Sequence, residues 1–278
     1  VLCLHNLLLV LSGRQDNARL QREKLLRDYP LNATLWWLNW FDGRSESALV
    51  QWRGLCQGRD VNALMTAGQL INWGMPALAA DMLNALDCQR TLPLYLQASL
   101  LPKAERGELV VKAIDAFPQF VRFPNTLEEV AALESIEECW FARHLLACFY
   151  YNKRSYGKAI ALWQRCVEMS PEFADGWRGL AIHAWNKQHD YELAARYLDN
   201  AYQLAPQDAR LLFERDLLDK LSGVTPEKRL ARLENNLEIA LKRDDMTAEL
   251  LNLWHLTGQA DKAADILATR KFHPWEGG

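Results

Sequence analysis

Residues 140–206 read WFARHLLACFYYNKRSYGKAIALWQRCVEMSPEFADGWRGLAIHAWNKQHDYELAARYLDNAYQLAP, and this stretch can be laid over itself. The first copy carries Leu146-Ala147, Tyr150, Tyr156, Ala159, Trp163, Cys166 and a closing Pro171. The second carries Trp177, Leu180-Ala181, Ala184, Tyr191, Ala194, Leu198, Ala201 and a closing Pro206. Self-similarity at a period in the mid-thirties marks stacked helical hairpins, because one hairpin cannot bury its own apolar face. Ala159 and Ala194 are small enough for two helices to cross closely. Tyr150, Tyr156, Trp163 and Trp177 fill the space around those crossings.

The same punctuation extends outward. It predicts pairs at 2–11 with 16–29, at 31–41 with 47–56, at 61–73 with 76–86, and at 91–100 with 103–116. Gly13, Asp42-Gly43 and Gly74 serve as turns, and Pro76 occupies a first helical turn, where proline is tolerated. After an irregular junction at 117–125, Thr126 and Glu129 have the spacing of a capping box. Pairs at 208–221 with 226–242, and at 246–256 with 261–270, close the chain. No segment alternates as a strand does. The expected fold is all-α: one right-handed solenoid of antiparallel helix pairs over residues 1–278.

Trp177, Leu180-Ala181, Ala184, Ala194 and Pro206 fall in the order seen in tetratricopeptide repeats, and the array resembles that family. A more specific likeness is carried by Ala116-Phe117-Pro118, Trp163-Gln164, Phe173-Ala174-Asp175-Gly176-Trp177-Arg178-Gly179-Leu180 and the terminal Phe272-His273-Pro274-Trp275-Glu276-Gly277-Gly278. These segments resemble a bacterial family of large proteins in which an N-terminal β-sandwich of unknown function precedes a long tetratricopeptide-like region. The likeness covers most of the second half and is generic before Pro93. It implies an expressed piece of a longer protein and a loose association with carbohydrate metabolism, and it supplies no activity.

Composition narrows the function classes. The 278 residues are 50% hydrophobic and 24% charged, with net charge −3, so no basic field draws nucleic acid. Six cysteines without a CxxC, mostly in apolar helical pattern, suit a reducing, cytoplasmic setting. The opening run Val1–Leu11 falls well short of the roughly 20 apolar residues needed to span a bilayer, so no membrane partner is expected. Its all-round apolarity implies a preceding covering element. With Leu2, Leu7, Leu9 and Leu11 at an uncapped end, end-to-end self-association is expected.

No catalytic signature is present. The histidines are scattered, and His183 and His189 miss the i, i+4 spacing of a metal pair, so neither metal nor cofactor is expected. The eleven tryptophans are the compositional anomaly. Core packing is the preferred reading, with an aromatic platform around Trp36, Trp37 and Trp40 as the alternative; Trp37 points away from the other two. The tetratricopeptide register projects Phe141, His144, Cys148 and Tyr151, then Asp175, Arg178, Ile182 and Trp185, onto a concave groove. A clamp for an acidic C-terminal tail would need a basic residue followed four positions on by Asn. Arg178 is followed by Ile182 and His144 by Cys148, so that partner is disfavoured.

The expected function is a non-catalytic scaffold that binds a protein or braces a neighbouring domain of the same polypeptide, through Phe141, His144, Tyr151, Arg178 and Trp185. The alternative is the helical accessory region of a carbohydrate-active enzyme, with carbohydrate as ligand. His273, Trp275 and Glu276 form a second candidate motif, because Pro274 and Gly277-Gly278 force the chain out of the last helix.

Overall fold

The computed structural model describes residues 1–57, 59–87, 89–116 and 122–273, and among these every regular element is helical. The chain divides into two compact units, Val1–Phe149 and Tyr150–Gly278.

The first unit pairs α1 (Leu2–Leu11) with α2 (Gln15–Asp28), α3 (Ala33–Gly43) with α4 (Glu46–Cys56), α5 (Asp60–Asn72) with α6 (Pro76–Leu86), and α7 (Thr91–Ser99) with α8 (Gly107–Asp115). The first helices of successive pairs also pack on one another, α1 on α3, α3 on α5 and α5 on α7. α9 (Leu127–Glu134) then packs on α5 and α7. It opens with the predicted capping box: the Thr126 hydroxyl accepts from the Glu129 amide, and the Glu129 carboxylate accepts from the Thr126 amide. α10 (Trp140–Asn152) contains the division between the units.

The second unit continues through α11 (Tyr156–Met169), α12 (Ala174–His183), α13 (Tyr191–Leu204), α14 (Ala209–Leu221), α15 (Pro226–Glu234), the short α16 (Leu237–Ala240), α17 (Asp244–Leu256) and α18 (Ala260–Thr269). The sequential neighbours α11–α12, α12–α13, α13–α14 and α17–α18 pack pairwise, and α14 also meets α17. Ala159 and Ala194 are fully buried at their crossings.

Three boundaries differ from the sequence expectation, each for a local reason. Gly43 stays helical, and Arg44 takes the left-handed turn at φ 48°. Its guanidinium lies 4.2 Å from the Trp40 ring centroid and 3.1 Å from Asp81, contacts that hold a conformation L-residues rarely adopt. The predicted 103–116 helix begins as a 3₁₀ turn at Lys103–Glu105, where the Arg106 guanidinium donates to the Ser99, Leu101 and Ser135 carbonyls. The predicted 226–242 helix breaks at Asn235-Asn236. The Asn236 side chain donates to the Arg232 carbonyl at 2.9 Å and accepts from the Tyr202 hydroxyl at 2.8 Å, competing with the helical ladder.

Five tryptophans, Trp37, Trp40, Trp52, Trp163 and Trp254, are buried in the core. Trp37 and Trp52 are fully buried, Trp40 stacks on Trp52 with centroids 5.8 Å apart, and Trp37 stacks on Phe41 at 5.2 Å. Trp37, expected on a different side of the helix from Trp36 and Trp40, is covered as well, because α3 packs on both α1 and α5. The apolar α1 run conceals a polar residue. Asn6 is fully buried; it donates to the Ala18 carbonyl at 2.8 Å and accepts from Arg22 at 3.1 Å. Arg22 in turn reaches Asn39 and Asp42 on α3, tying three helices together.

Candidate binding face

In the second unit, the first helices of successive hairpins are joined by ion pairs rather than left with open charge. Arg178 on α12 donates through Nε to both Glu214 carboxylate oxygens on α14, at 3.0 and 2.8 Å. Arg210 on α14 reaches Asp175 on α12 at 2.9 Å and its own cap residue Asp208 at 3.2 Å. Arg243, at the start of α17, holds Asp245 at 2.6 Å. Burial of the Arg178 guanidinium opposes its charge, but the Glu214 carboxylate, then Asp175 and Asp208, outweigh that and hold it above its ordinary range. Arg243 is raised chiefly by its hydrogen bonds to Asp245, with Asp208 and Glu214 adding field. Three guanidinium groups thus face four carboxylates on one partly buried surface. It carries one carboxylate in excess and is geometrically fixed, since a bidentate Arg–carboxylate pair sets orientation as well as energy.

The projected groove residues separate into distinct environments. Phe141 is fully buried and offers no surface to a ligand, which corrects its placement in a groove; its ring stacks on His144 at 6.1 Å. His144 is 7% exposed, and its Nε2 lies 3.6 Å from the Cys148 Sγ. Tyr151 is half-buried in an aromatic cluster with Tyr156 at 5.1 Å, Trp163 at 5.4 Å and His183 at 6.3 Å. Burial pushes the Tyr151 hydroxyl above its usual pKa, and the same effect, assisted by Lys187, pushes the His183 imidazole below its own. Arg178 is spent on Glu214. Trp185 packs partly buried against the cluster formed by Ala181, Ala184, Ala194 and Leu198. Arg210 and Glu214 on α14 and Arg243 at the start of α17 lie beyond the two copies of the repeat that the sequence makes clear, so the register of those copies does not reach them.

Below His183 the chain forms a π-turn, Ala184–Gln188, and His189 takes the left-handed cap at φ 55°. At the other end of the unit, the His273 amide donates to the Asp244 carboxylate at 2.5 Å, and Arg270 donates to the same carboxylate at 3.1 and 2.7 Å. Trp275 and Glu276, like residues 117–121 of the expected junction, lie outside the described residues. Among the described residues there is no group of three or more His, Cys, Asp or Glu able to hold a metal, and no helix is long and apolar enough to cross a membrane.

No family model matches the chain. Similar solved structures include the APC/C hetero-tetramer Cut9-Hcn1, at 15% identity and TM-score 0.42, covering 90% of this chain and 48% of that one. The P58(IPK) TPR domain matches at 15% identity and TM-score 0.37, covering 95% of this chain and 66% of that one. The chain thus spans about half the length of the first and just under two thirds of the second.

Proposed function

We propose that the chain is a non-catalytic helical-repeat scaffold, and that the charged face of α12, α14 and α17 is where its second unit meets a protein partner or a neighbouring domain of the same polypeptide. The observation that carries this reading is the ion-pair ladder Asp175–Arg210 and Arg178–Glu214 between successive first helices. A row of such pairs holds donors and acceptors in fixed positions on a partly buried surface, which suits recognition as well as registry between the hairpins. Because every guanidinium here is already paired and one carboxylate is in excess, the fitting partner offers hydrogen bonds and alternating charge rather than a uniformly acidic tail.

A pull-down from a lysate, comparing the parent chain with Arg178→Glu/Trp185→Ala, tests the surface. A swapped pair, Arg178→Glu/Glu214→Arg, keeps the ladder while reversing its pattern and guards against simple misfolding. Loss of the same captured partner in both variants is the expected result. Unchanged capture by either one removes this face as the contact.

A further inference from the structure

Cys148 and His144 stand one turn apart on α10, at i and i+4, and share a face of that helix. The Cys148 Sγ lies 3.6 Å from His144 Nε2, within hydrogen-bonding reach for sulfur. The imidazole is not free to swing. It is 7% exposed and stacks nearly parallel, at 14°, on the fully buried Phe141 ring. Its sulfur neighbour is partly exposed, whereas Cys56, Cys139 and Cys166 are buried, and Cys139 is engaged with the Tyr95 hydroxyl at 3.2 Å. The chain also carries its own reference thiol. Cys3 is partly exposed, lines a cavity of about 320 Å³, and burial pushes its pKa up.

We propose that Cys148 is a covalent modification site, a thiol that His144 activates toward small carbon electrophiles. A thiolate is the nucleophile, and a positioned imidazole both accepts the thiol proton and, once charged, stabilises the anion left behind. With iodoacetamide the step is a simple displacement. The sulfur forms a bond to the methylene carbon, the carbon–iodine bond breaks, iodide departs with the electron pair, and the thiol proton passes to His144 Nε2 and then to water. The fixed ring lets the imidazole act without first paying for its own orientation. If the cysteine only packed as a small hydrophobe, its reaction would follow bulk thiol behaviour with pH.

The full chain is treated with limiting iodoacetamide between about pH 5.5 and about pH 9, bracketing ordinary His and Cys titration. Alkylation is read at each cysteine by peptide mass spectrometry. At about pH 6.5, Cys148 should react at least about tenfold faster than Cys3, with its rate rising at a lower pH, as expected for a thiol beside an imidazolium. His144→Gln, confirmed folded by circular dichroism, should return Cys148 to the Cys3 pattern. A ratio below about tenfold, or a folded His144→Gln with an unchanged pH profile, overturns the proposal. Should His144→Gln not fold, the pH profile of Cys148 in the unaltered chain decides alone: a rate that rises only through ordinary thiol titration, near about pH 8.5, overturns the proposal.

Discussion

Gly179→Ala should destabilise the second unit, although the same change in most helices stabilises. Gly179 lies inside α12, where Ala is worth about 1 kcal/mol more than Gly. A β-carbon placed there would meet the five-membered ring of the Trp163 indole, nearest Cε2 and at 2.6 Å from Cδ2 and 2.7 Å from Nε1. The ring has nowhere to retreat: Trp163 is 3% exposed, and Tyr151 stands 5.4 Å away on it. Gly176, one turn earlier, is nearly as tight, with its virtual β-carbon 2.9 Å from the Val167 side chain. The two glycines are what allow α12 to lie so close to α11.

Overpacking a filled core costs about 1–3 kcal/mol, and a rigid ring with no free volume behind it belongs at the upper end. Setting about 3 kcal/mol against the propensity gain of about 1 leaves a net loss of about 2 kcal/mol, or about 4–8 °C in Tm. Thermal and urea unfolding followed by far-UV circular dichroism would read it. Gly54→Ala is the matched control: Gly54 lies in α4 with nothing within 4 Å of its virtual β-carbon, so this variant should gain up to about 1 kcal/mol. Trp163→Leu in the Gly179→Ala background should recover part of the loss, which a double-mutant cycle would register as coupling. A Gly179→Ala protein as stable as its parent would refute the close α11–α12 approach.

Two further outcomes follow from titrating groups. His183 is held below its ordinary pKa by burial and then by Lys187, so the unfolded chain binds its proton more readily; the second unit should lose stability as pH falls below about 6.5, and His183→Leu should flatten that slope in urea titrations between about pH 5 and about pH 7. Asp244 is held below its ordinary pKa by the His273 amide first and the Arg270 guanidinium next; its contribution is therefore present at neutral pH and lost below about pH 4, and Arg270→Ala should abolish hydrogen-exchange protection of the His273 amide while the centre of α17 stays protected.

What was legible in the sequence was local. Gly13 and Gly74 sit at φ 76° and 75°, where left-handed backbone is free of steric cost for glycine, and the helices end beside them as the pattern requires. Thr126-x-x-Glu129 is a capping box in three dimensions because both of its bonds close within four residues. The arginines could not be read in this way. Arg22 bridges α1 and α3, and Arg178 meets a carboxylate on the next first helix. Nothing in the spacing along one helix says which of many carboxylates an arginine will find. For the same reason, Phe141 and Arg178 could be assigned to one projected surface when one is core and the other is locked in an ion pair. A register fixes which side of a helix a residue occupies, but not how deeply the neighbouring hairpin covers it.

A further local signal marks the starts of hairpins. Pro30-x-x-Ala33, Pro171-x-x-Ala174 and Pro206-x-x-Ala209 share one spacing, and α3, α12 and α14 each begin at that alanine. In the first two, a tryptophan six residues after the proline donates its indole N–H back to the proline carbonyl: Trp36 to Pro30 at 2.7 Å and Trp177 to Pro171 at 2.8 Å. Proline disfavours helical backbone in the residue before it and so ends the preceding element, while the indole bond satisfies a carbonyl at the turn and orients the next helix. The third copy has Leu212 at that position, fully buried, and its cap Asp208 accepts from the Arg210 amide instead. One hairpin-start device therefore occurs in both units, with either an indole or an aspartate supplying the polar bond. The substitution at Leu212 sets the Pro206 copy apart by residue identity, whereas the chemistry of the helix start is common to all three.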